Sequence, residues 1–503
     1  MQVDLSGQVA LVTGAARGIG QAIADALARN GARVFYTDVD LEEAARSASA
    51  WPAATAAVMD VTDEAQIQAV TDAIVRECGR IDILVNNAGV NTLAHRVPID
   101  QFPRREWDRI VGVDLTGLYL VSKAVTAIMR RQRSGRIINI ASIAGLVPLR
   151  LQSPFVAAKA KGCWVYNPEG KKYLDFTSQF VFTNLGHCDD RVNAAIAKQA
   201  ALLPSVNSQW ATEPKARLGK LLAEVTPGDL KKSFFSTGGT EAVEGAVKIA
   251  RWATGKQKVL SRWRSYHGST MGAMAVSGDY RNWCAEPSVP SALHILPPYC
   301  YRCNFGATYP SCDIQCAKHV EDVIRYEGGA RRVAAVIGEP IFGAGGVIVP
   351  PEEYWPMVRA ICDKYEVVLI ADEIMTAFGR TGKWFGMDNW GVVPDIMTLA
   401  KGINSGSVPL GATVVRPWIA EKFEAVPYLH GHTYSGHALA MAAAVATIEA
   451  YRQDKLIDQA AKTGAYLMKK LKELQDKHPC VGEVRGKGLF CGIEIVKNRQ
   501  TKE

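Results

Sequence analysis

The chain has 503 residues, a net charge of +8 and a hydrophobic content of 48%. That length exceeds one ordinary domain and points to two or three soluble globular units. The positive charge is spread along the chain. Short runs such as Lys231-Lys232 and Lys469-Lys470 are solvated faces, so no nucleic-acid partner is expected. The most apolar stretch, near Ala438 to Ile448, is too short to span a bilayer, so no membrane partner is expected either. Met1-Gln2-Val3-Asp4-Leu5 leads into a strand pattern rather than a signal peptide. Eleven cysteines at irregular spacing suit reduced thiols in the cytoplasm.

The first 160 or so residues alternate short apolar runs with helical periods. Val9 to Val12, Ala32 to Tyr36, Thr55 to Met59, Ile83 to Val85 and Ile137 to Ile140 read as strands. Gln21 to Arg29 and Asp63 to Glu77 read as helices between them, the rhythm of a parallel sheet. The first strand runs into Thr13-Gly14-Ala15-Ala16-Arg17-Gly18-Ile19-Gly20 and then a helix. Glycines there let backbone approach a pyrophosphate at a helix N-terminus, although such a turn also serves as a plain strand-to-helix connection. Asp38 ends the second strand, where a carboxylate accepts ribose hydroxyls and favours NAD over NADP.

Asp60-Val61 follows the third strand, Asn86-Asn87-Ala88-Gly89 the fourth and Ser142 the fifth. With the glycine turn, these segments resemble the short-chain dehydrogenase/reductase family. The resemblance implies an NAD site built from Gly14, Arg17, Gly18, Ile19, Gly20, Asp38, Asp60, Val61, Asn87 and Lys159, with Ser142 as the carbonyl-polarising serine. The family's asparagine in the preceding helix matches Asp114. The family's acid/base tyrosine falls on Phe155, four residues before Lys159, and phenylalanine has no proton to give. The family's last strands have no counterpart after Lys159. NAD binding is therefore expected to be weak, and the site vestigial.

From Gly162 a second pattern begins without a linker. Gly162-Cys163-Trp164-Val165-Tyr166-Asn167-Pro168-Glu169-Gly170-Lys171-Lys172-Tyr173-Leu174-Asp175-Phe176 resembles the early hairpin of class III aminotransferases. Leu369 to Asp372 is a buried strand ending in acid, and Ile374 lies two residues on, facing the same way. Pro394 to Leu399 is an apolar strand that delivers Ala400-Lys401-Gly402, with Lys401 twenty-nine residues after Asp372 as in that family. Desolvation at a strand end lowers an amine's pKa and frees a nucleophile. Ser236-Thr237-Gly238-Gly239-Thr240-Glu241-Ala242 follows a strand and opens a helix, which makes an anion site.

The resemblance implies pyridoxal 5′-phosphate as cofactor. Lys401 would bind its aldehyde and Asp372 its pyridine nitrogen. Gly239 and Thr240 would hold the phosphate, with Tyr266 and Ile374 on the two ring faces. His267 belongs to the Tyr266 motif, Glu339 lies near the 3′-hydroxyl, and Thr433 reaches the phosphate of a neighbouring subunit, which implies a homodimer. Lys401 would also move the substrate's α-proton. Cys300, Cys303, Cys312 and Cys316 are spaced too loosely, in a loop without histidine, for a metal site to be expected.

The fold class expected is α/β: a truncated Rossmann-type doubly wound sheet over residues 1–159, then a pyridoxal-phosphate transferase of fold type I over 160–503. The large cofactor-binding part covers roughly 205–440. The second part matches the family incompletely at both ends. The function expected is transfer of an amino group from an amine or ω-amino acid, of the taurine or β-alanine kind, to a 2-oxo acid such as pyruvate. Two alternatives stand: an NAD-dependent short-chain oxidoreductase, and a catalytically defective hybrid of the two.

Overall fold

A computed structural model describes residues 3–90, 103–140, 157–168, 170–285 and 288–503, apart from the side chain of Cys284. Ser142, Phe155 and Glu169 lie outside the described residues. The chain divides into two compact units, Met1–Val156 and Ala157–Glu503.

The first unit is a five-stranded parallel sheet of β1 (Val9–Thr13), β2 (Arg33–Asp38), β3 (Ala54–Val58), β4 (Ile83–Asn86) and β5 (Arg136–Asn139), in the order β3-β2-β1-β4-β5. All five residues of β1 are buried, as a strand covered on both faces requires. Leu11 and Phe35 pack on one face with Ile67 and Ile74 of the helix Glu64–Cys78, while Val12 and Tyr36 pack on the other. The Asp63 side chain caps that helix by accepting from the Ala65 and Gln66 amides, a contact worth about 1 kcal/mol. Gly79, at φ 76°, closes it in the left-handed conformation.

A continuous helix runs from Arg104 to Gln132, with a π-helical stretch at Gly112–Gly117. By length and composition it would reach across a membrane, which corrects the expectation that nothing in the chain does. Its inner residues Val121, Val125 and Ile128 pack with the sheet's Leu11 and Leu84, as in a core helix of a doubly wound fold. Asp114 sits in the π-helical stretch and accepts from the Val90 amide at 2.7 Å.

The second unit opens with a three-stranded antiparallel sheet, β6 (Lys159–Lys161), β7 (Trp164–Tyr166) and β8 (Lys172–Leu174). Two sequence expectations change here. Lys159, in β6, pairs with Tyr166 and so belongs to the second unit, whereas the other residues expected at the NAD site belong to the first. The division between units falls at Val156/Ala157, because residues 158–161 are already committed to backbone pairing with β7.

The main sheet has seven strands: β9 (Lys232–Ser236), β10 (Lys258–Arg262), β11 (Ala292–Ile295), β12 (Val333–Gly338), β13 (Val368–Asp372), β14 (Ile396–Leu399) and β15 (Gly411–Val415). Their order is β11-β10-β12-β13-β14-β15-β9. Only β15 pairs antiparallel with its neighbours, so β9, β13 and β14 run the same way and end at one edge. Successive residues alternate faces: Val336 and Leu369 join a cluster around Trp355, whereas Ile337 and Ile370 join one around Val247. The apolar helix Ala438–Gln453 buries Met441 and Ile448 against Met397, Leu399 and Val414. The chain closes with an antiparallel pair, β16 (Val481–Lys487) and β17 (Phe490–Ile495), where Phe490 is buried and Ile495 is 66% exposed.

β5 is the outer strand of the first sheet, with Ile137 40% and Ile138 44% exposed. An apolar outer strand is a template for pairing with other chains. Ile138→Lys is expected to change unfolding free energy by less than about 1 kcal/mol and to lower self-association. Denaturant melts and light scattering measure both; a variant that fails to fold would show that this strand is buried in solution.

Candidate active site

The candidate site of the second unit lies where β9, β13 and β14 end. A cavity of about 370 Å³ is lined by Gly239, Thr240, Tyr266, His267, Glu339, Asp372, Ile374 and Lys401. The structure therefore brings together the residues that the sequence nominated on this chain, except Thr433, which is exposed and does not line the cavity.

β13 places Asp372 in register with Thr398 of β14. Thr398 donates its hydroxyl to Asp372 Oδ1 at 3.0 Å, and the Ile374 amide donates to the same oxygen at 3.2 Å. His267 Nδ1 meets Asp372 Oδ2 at 2.5 Å, and the His267 side chain is fully buried. A carboxylate held by three partners has a fixed direction. His267 Nε2 is buried without a partner among the described residues.

Lys401 leaves the end of β14 at φ 45°, a left-handed conformation that costs an ordinary residue about 1 kcal/mol. The turn is secured by the Ile403 amide on the Ala400 carbonyl at 3.0 Å and by the Tyr451 hydroxyl on the Gly402 carbonyl at 2.7 Å. Burial lowers the pKa of the Lys401 amine, and the carboxyls of Asp372 and Glu339 only partly offset this. Glu339 is itself pushed up by burial. It accepts from the Gly343 amide at 2.6 Å and the Tyr266 amide at 3.3 Å.

The helix Gly239–Thr254 starts at the cavity, and no side chain caps its N-terminus. Its open amides and dipole suit a phosphate. A Cβ at Gly239 would lie 2.9 Å from Ile374 Cδ1, so a larger residue there would push the Ile374 side chain out of its place on the cavity wall. The Tyr266 ring carries the Arg281 guanidinium 3.5 Å from its centroid. An anion cradle at one end, a fixed carboxylate, a desolvated amine, and an aromatic and a branched apolar side chain on the walls together fit pyridoxal phosphate.

Sequence reasoning missed several lining residues, among them Phe182, Met375, Asn404 and Leu410. Only Asn404, in the turn after Lys401-Gly402, carried a signal, as an Asn-x-Gly turn. It also missed Arg262, 1% exposed, which donates to the Glu339 carbonyl at 2.5 Å and stacks 4.0 Å from the Phe342 centroid. A larger surface cleft of about 510 Å³ shares no residue with this cavity and is crossed by the Arg359–Asp395 ion pair.

In the first unit, Gly14 and Gly18 adopt positive φ. Asn87 clamps the glycine turn by donating to the Thr13 and Gly14 carbonyls at 3.1 and 3.0 Å. A Cβ at Gly20 would strike the Gly14 carbonyl oxygen at 2.1 Å. Arg17 and Ile19 are exposed at the start of the helix Gly18–Arg29, whose N-terminus has no side-chain cap. Asp38 takes the Ala16 amide at 3.1 Å. Asp60 holds Thr62, and Val61 is buried.

The lowered pKa of Lys401 gives a signed expectation. Below its folded pKa the buried ammonium costs stability, and that cost disappears as pH rises to the ordinary value of 10.5, where the unfolded amine also loses its proton. Cofactor-free Lys401→Met should therefore be more stable than wild type at neutral pH, with the gain shrinking towards pH 10.5. Denaturant titrations across pH measure this; a gain independent of pH would mean the amine is not desolvated.

The family Aminotransferase class-III matches residues 149–503, and the family short chain dehydrogenase matches residues 8–163. The chain is 39% identical over 359 residues to the putrescine–pyruvate aminotransferase of Pseudomonas aeruginosa, covering 69% of this chain and 78% of that one. It is 39% identical over 354 residues to the leucine/methionine racemase of Thermococcus litoralis, covering 70% and 79%. Among solved structures it resembles the taurine:2-oxoglutarate aminotransferase of Bifidobacterium kashiwanohense, in complex with PLP and glutamate. There the TM-score is 0.68 and the identity 40%, over 72% of this chain and 83% of that one. From Lys401, Asp372 and the fold that aligns them, the conclusion follows that this chain belongs to the class III aminotransferases, a family that works with pyridoxal phosphate.

Proposed function

We propose that the chain moves an amino group from an amine or ω-amino acid, of the taurine or β-alanine kind, to a 2-oxo acid such as pyruvate. The observation that carries this reading is the desolvated Lys401 amine in one cavity with the buried, triply held Asp372 carboxylate. Substrate choice rests on relatives that act on putrescine or taurine.

Gly239 and Thr240 would receive the cofactor's phosphate, Asp372 its pyridine nitrogen, and Tyr266 and Ile374 its two faces. Glu339 would stand beside its 3′-hydroxyl. When bound, pyridoxal phosphate supplies an aldehyde that captures the donor's nitrogen and a charged ring that draws off electrons. Lys401 Nζ, whose pKa burial lowers, would take the proton from the amine-bearing carbon and pass it to the carbon that was the cofactor's aldehyde. Asp372 keeps the ring nitrogen protonated, and His267 holds Asp372 in place. Thr433, exposed on its own chain, would complete the phosphate site of a partner in a homodimer. The first unit would bind NAD weakly through the Gly14 to Gly20 turn and Asp38. It would transfer no hydride, because position 155 holds phenylalanine. Cysteines without a disulfide among the described residues support a cytoplasmic setting.

Borohydride reduction followed by peptide mass spectrometry should find the cofactor on Lys401, and Lys401→Ala should lose both the adduct and turnover. An adduct on another lysine would overturn the assignment. Asp372→Asn is expected to retain cofactor but to form carbonyl product at least about 100-fold more slowly, since the ring loses its charged partner. Near-normal turnover would mean that another acid serves the ring. Measuring carbonyl product, rather than loss of optical activity, separates transamination from racemisation.

A further inference from the structure

Arg262 does not line the cavity that holds Lys401, yet it is bonded to the backbone of a residue that does. It ends β10, which runs parallel to β12, and Glu339 follows the last residue of β12, Gly338. A Cβ at Gly338 would lie 2.5 Å from Arg262 Nη2 and 2.7 Å from its Cζ, so glycine there leaves the slot that the guanidinium fills. Phe342 covers the cation at 4.0 Å from its ring centroid and Trp355 at 5.0 Å.

No carboxylate neutralises this cation by direct bonding. Nη2 donates to the Glu339 backbone carbonyl at 2.5 Å, while Nε and Nη1 have no hydrogen-bond partner among the described residues. Tyr354 lies beside it, but burial pushes that phenol up to about 12, so it stays neutral. A guanidinium keeps its charge even when buried. A buried cation without a bonded anion is costly, and ring faces offset only part of the cost. Its field then falls on the next acids, which are Glu339 and Asp372.

We propose that Arg262 is a positioning residue: it fixes the Glu339 backbone, and its charge sets the pH at which the Glu339 carboxyl ionises inside the Lys401 cavity. The backbone bond holds Glu339 where its side chain accepts from the Tyr266 and Gly343 amides. The charge opposes burial, which by itself keeps the proton on Glu339. The other titratable groups facing Glu339 are His267 beyond the end of β10, Asp372 on β13 and Lys401 after β14. His267 acts in the same direction as Arg262, and Asp372 acts against both. The consequence for the reaction rests on the transaminase reading and deepens it. An ionised Glu339 accepts a hydrogen bond from the cofactor's 3′-hydroxyl, whereas a protonated one can donate to it.

The test is difference infrared spectroscopy of the cofactor-free full chain across pH, following the band of the protonated Glu339 carboxyl, which Glu339→Gln identifies by its loss. Arg262→Gln should raise the midpoint of that band by about one pH unit, the scale of one fixed charge in a partly screened interior. Arg262→Lys keeps the charge and should leave the midpoint near its wild-type value. Gly338→Ala keeps Arg262 but crowds Nη2, so it should raise the midpoint by less, and it carries the test if neither substitution at 262 folds. Equal shifts in Arg262→Gln and Arg262→Lys would mean that packing acts rather than charge. No shift in any folded variant would mean that Arg262 does not govern Glu339. Either result overturns the proposal. Turnover is measured separately on the cofactor-loaded chain. If wild type aminates no 2-oxo acid while the midpoint still follows the charge at 262, the transaminase reading falls and the role of Arg262 stands.

Discussion

β13 and β14 pair so that Asp372 stands opposite Thr398, and the chemistry of the second unit depends on that register. Sheet side chains alternate faces, so a slip of one residue would turn Asp372 out of the cavity and put Glu373 or Ala371 in its place. The same pairing sets the end of β14, and hence where Lys401 can emerge. β9 reaches the same edge because β15, antiparallel between it and β14, restores its direction. An anion-binding helix end, a carboxylate and an amine are thus delivered to one cavity by backbone hydrogen bonds alone. Open α/β sheets hold their ligands at the carboxyl ends of their strands for this reason.

Burial then turns the arrangement into chemistry. Low-dielectric surroundings disfavour charge on Lys401 and on Glu339 alike, one by lowering and the other by raising its pKa. Asp372 is held by three hydrogen-bonding partners, one of them the imidazole of His267. Two acidic residues close together are therefore assigned different tasks by their partners rather than by their type. Arg262, stacked between Phe342 and Trp355 beneath Glu339, adds a buried positive charge that steadies the acidic side of the cavity.

Much of this was legible in the sequence, because strands and motifs are local. The five strands of the first unit fall within a residue or two of their expected ranges, since continuous apolar runs between turn residues mark buried parallel strands. Lys401, Asp372 and the Gly239-Thr240 turn were legible because each ends an apolar strand or opens a helix. What the sequence hid were contacts between segments far apart in the chain. Phe182 and Asn404 share a wall across more than two hundred residues, and nothing in either neighbourhood announces it. The long helix through Gly112–Gly117 was hidden for a different reason. Glycines and Asp114 break its apolar pattern, while a π-helical turn carries the backbone through them. Lys159 falls where the two patterns overlap: its spacing from Phe155 suits one family, while its backbone joins the hairpin of the other.

That hairpin strand is where the two family patterns overlap, over residues 149–163. β6 asks little of its sequence. Its two lysines are exposed, and its hold on β7 is mainly backbone to backbone, with Lys159 Nζ 4.9 Å from the Tyr166 ring centroid. A strand of that kind is indifferent to what it is spelled with, so it is a place where a gene can change from one ancestry to another without breaking a core. The joint is inexpensive for the same reason that it is hard to see: the structure there reads the peptide more than the side chains.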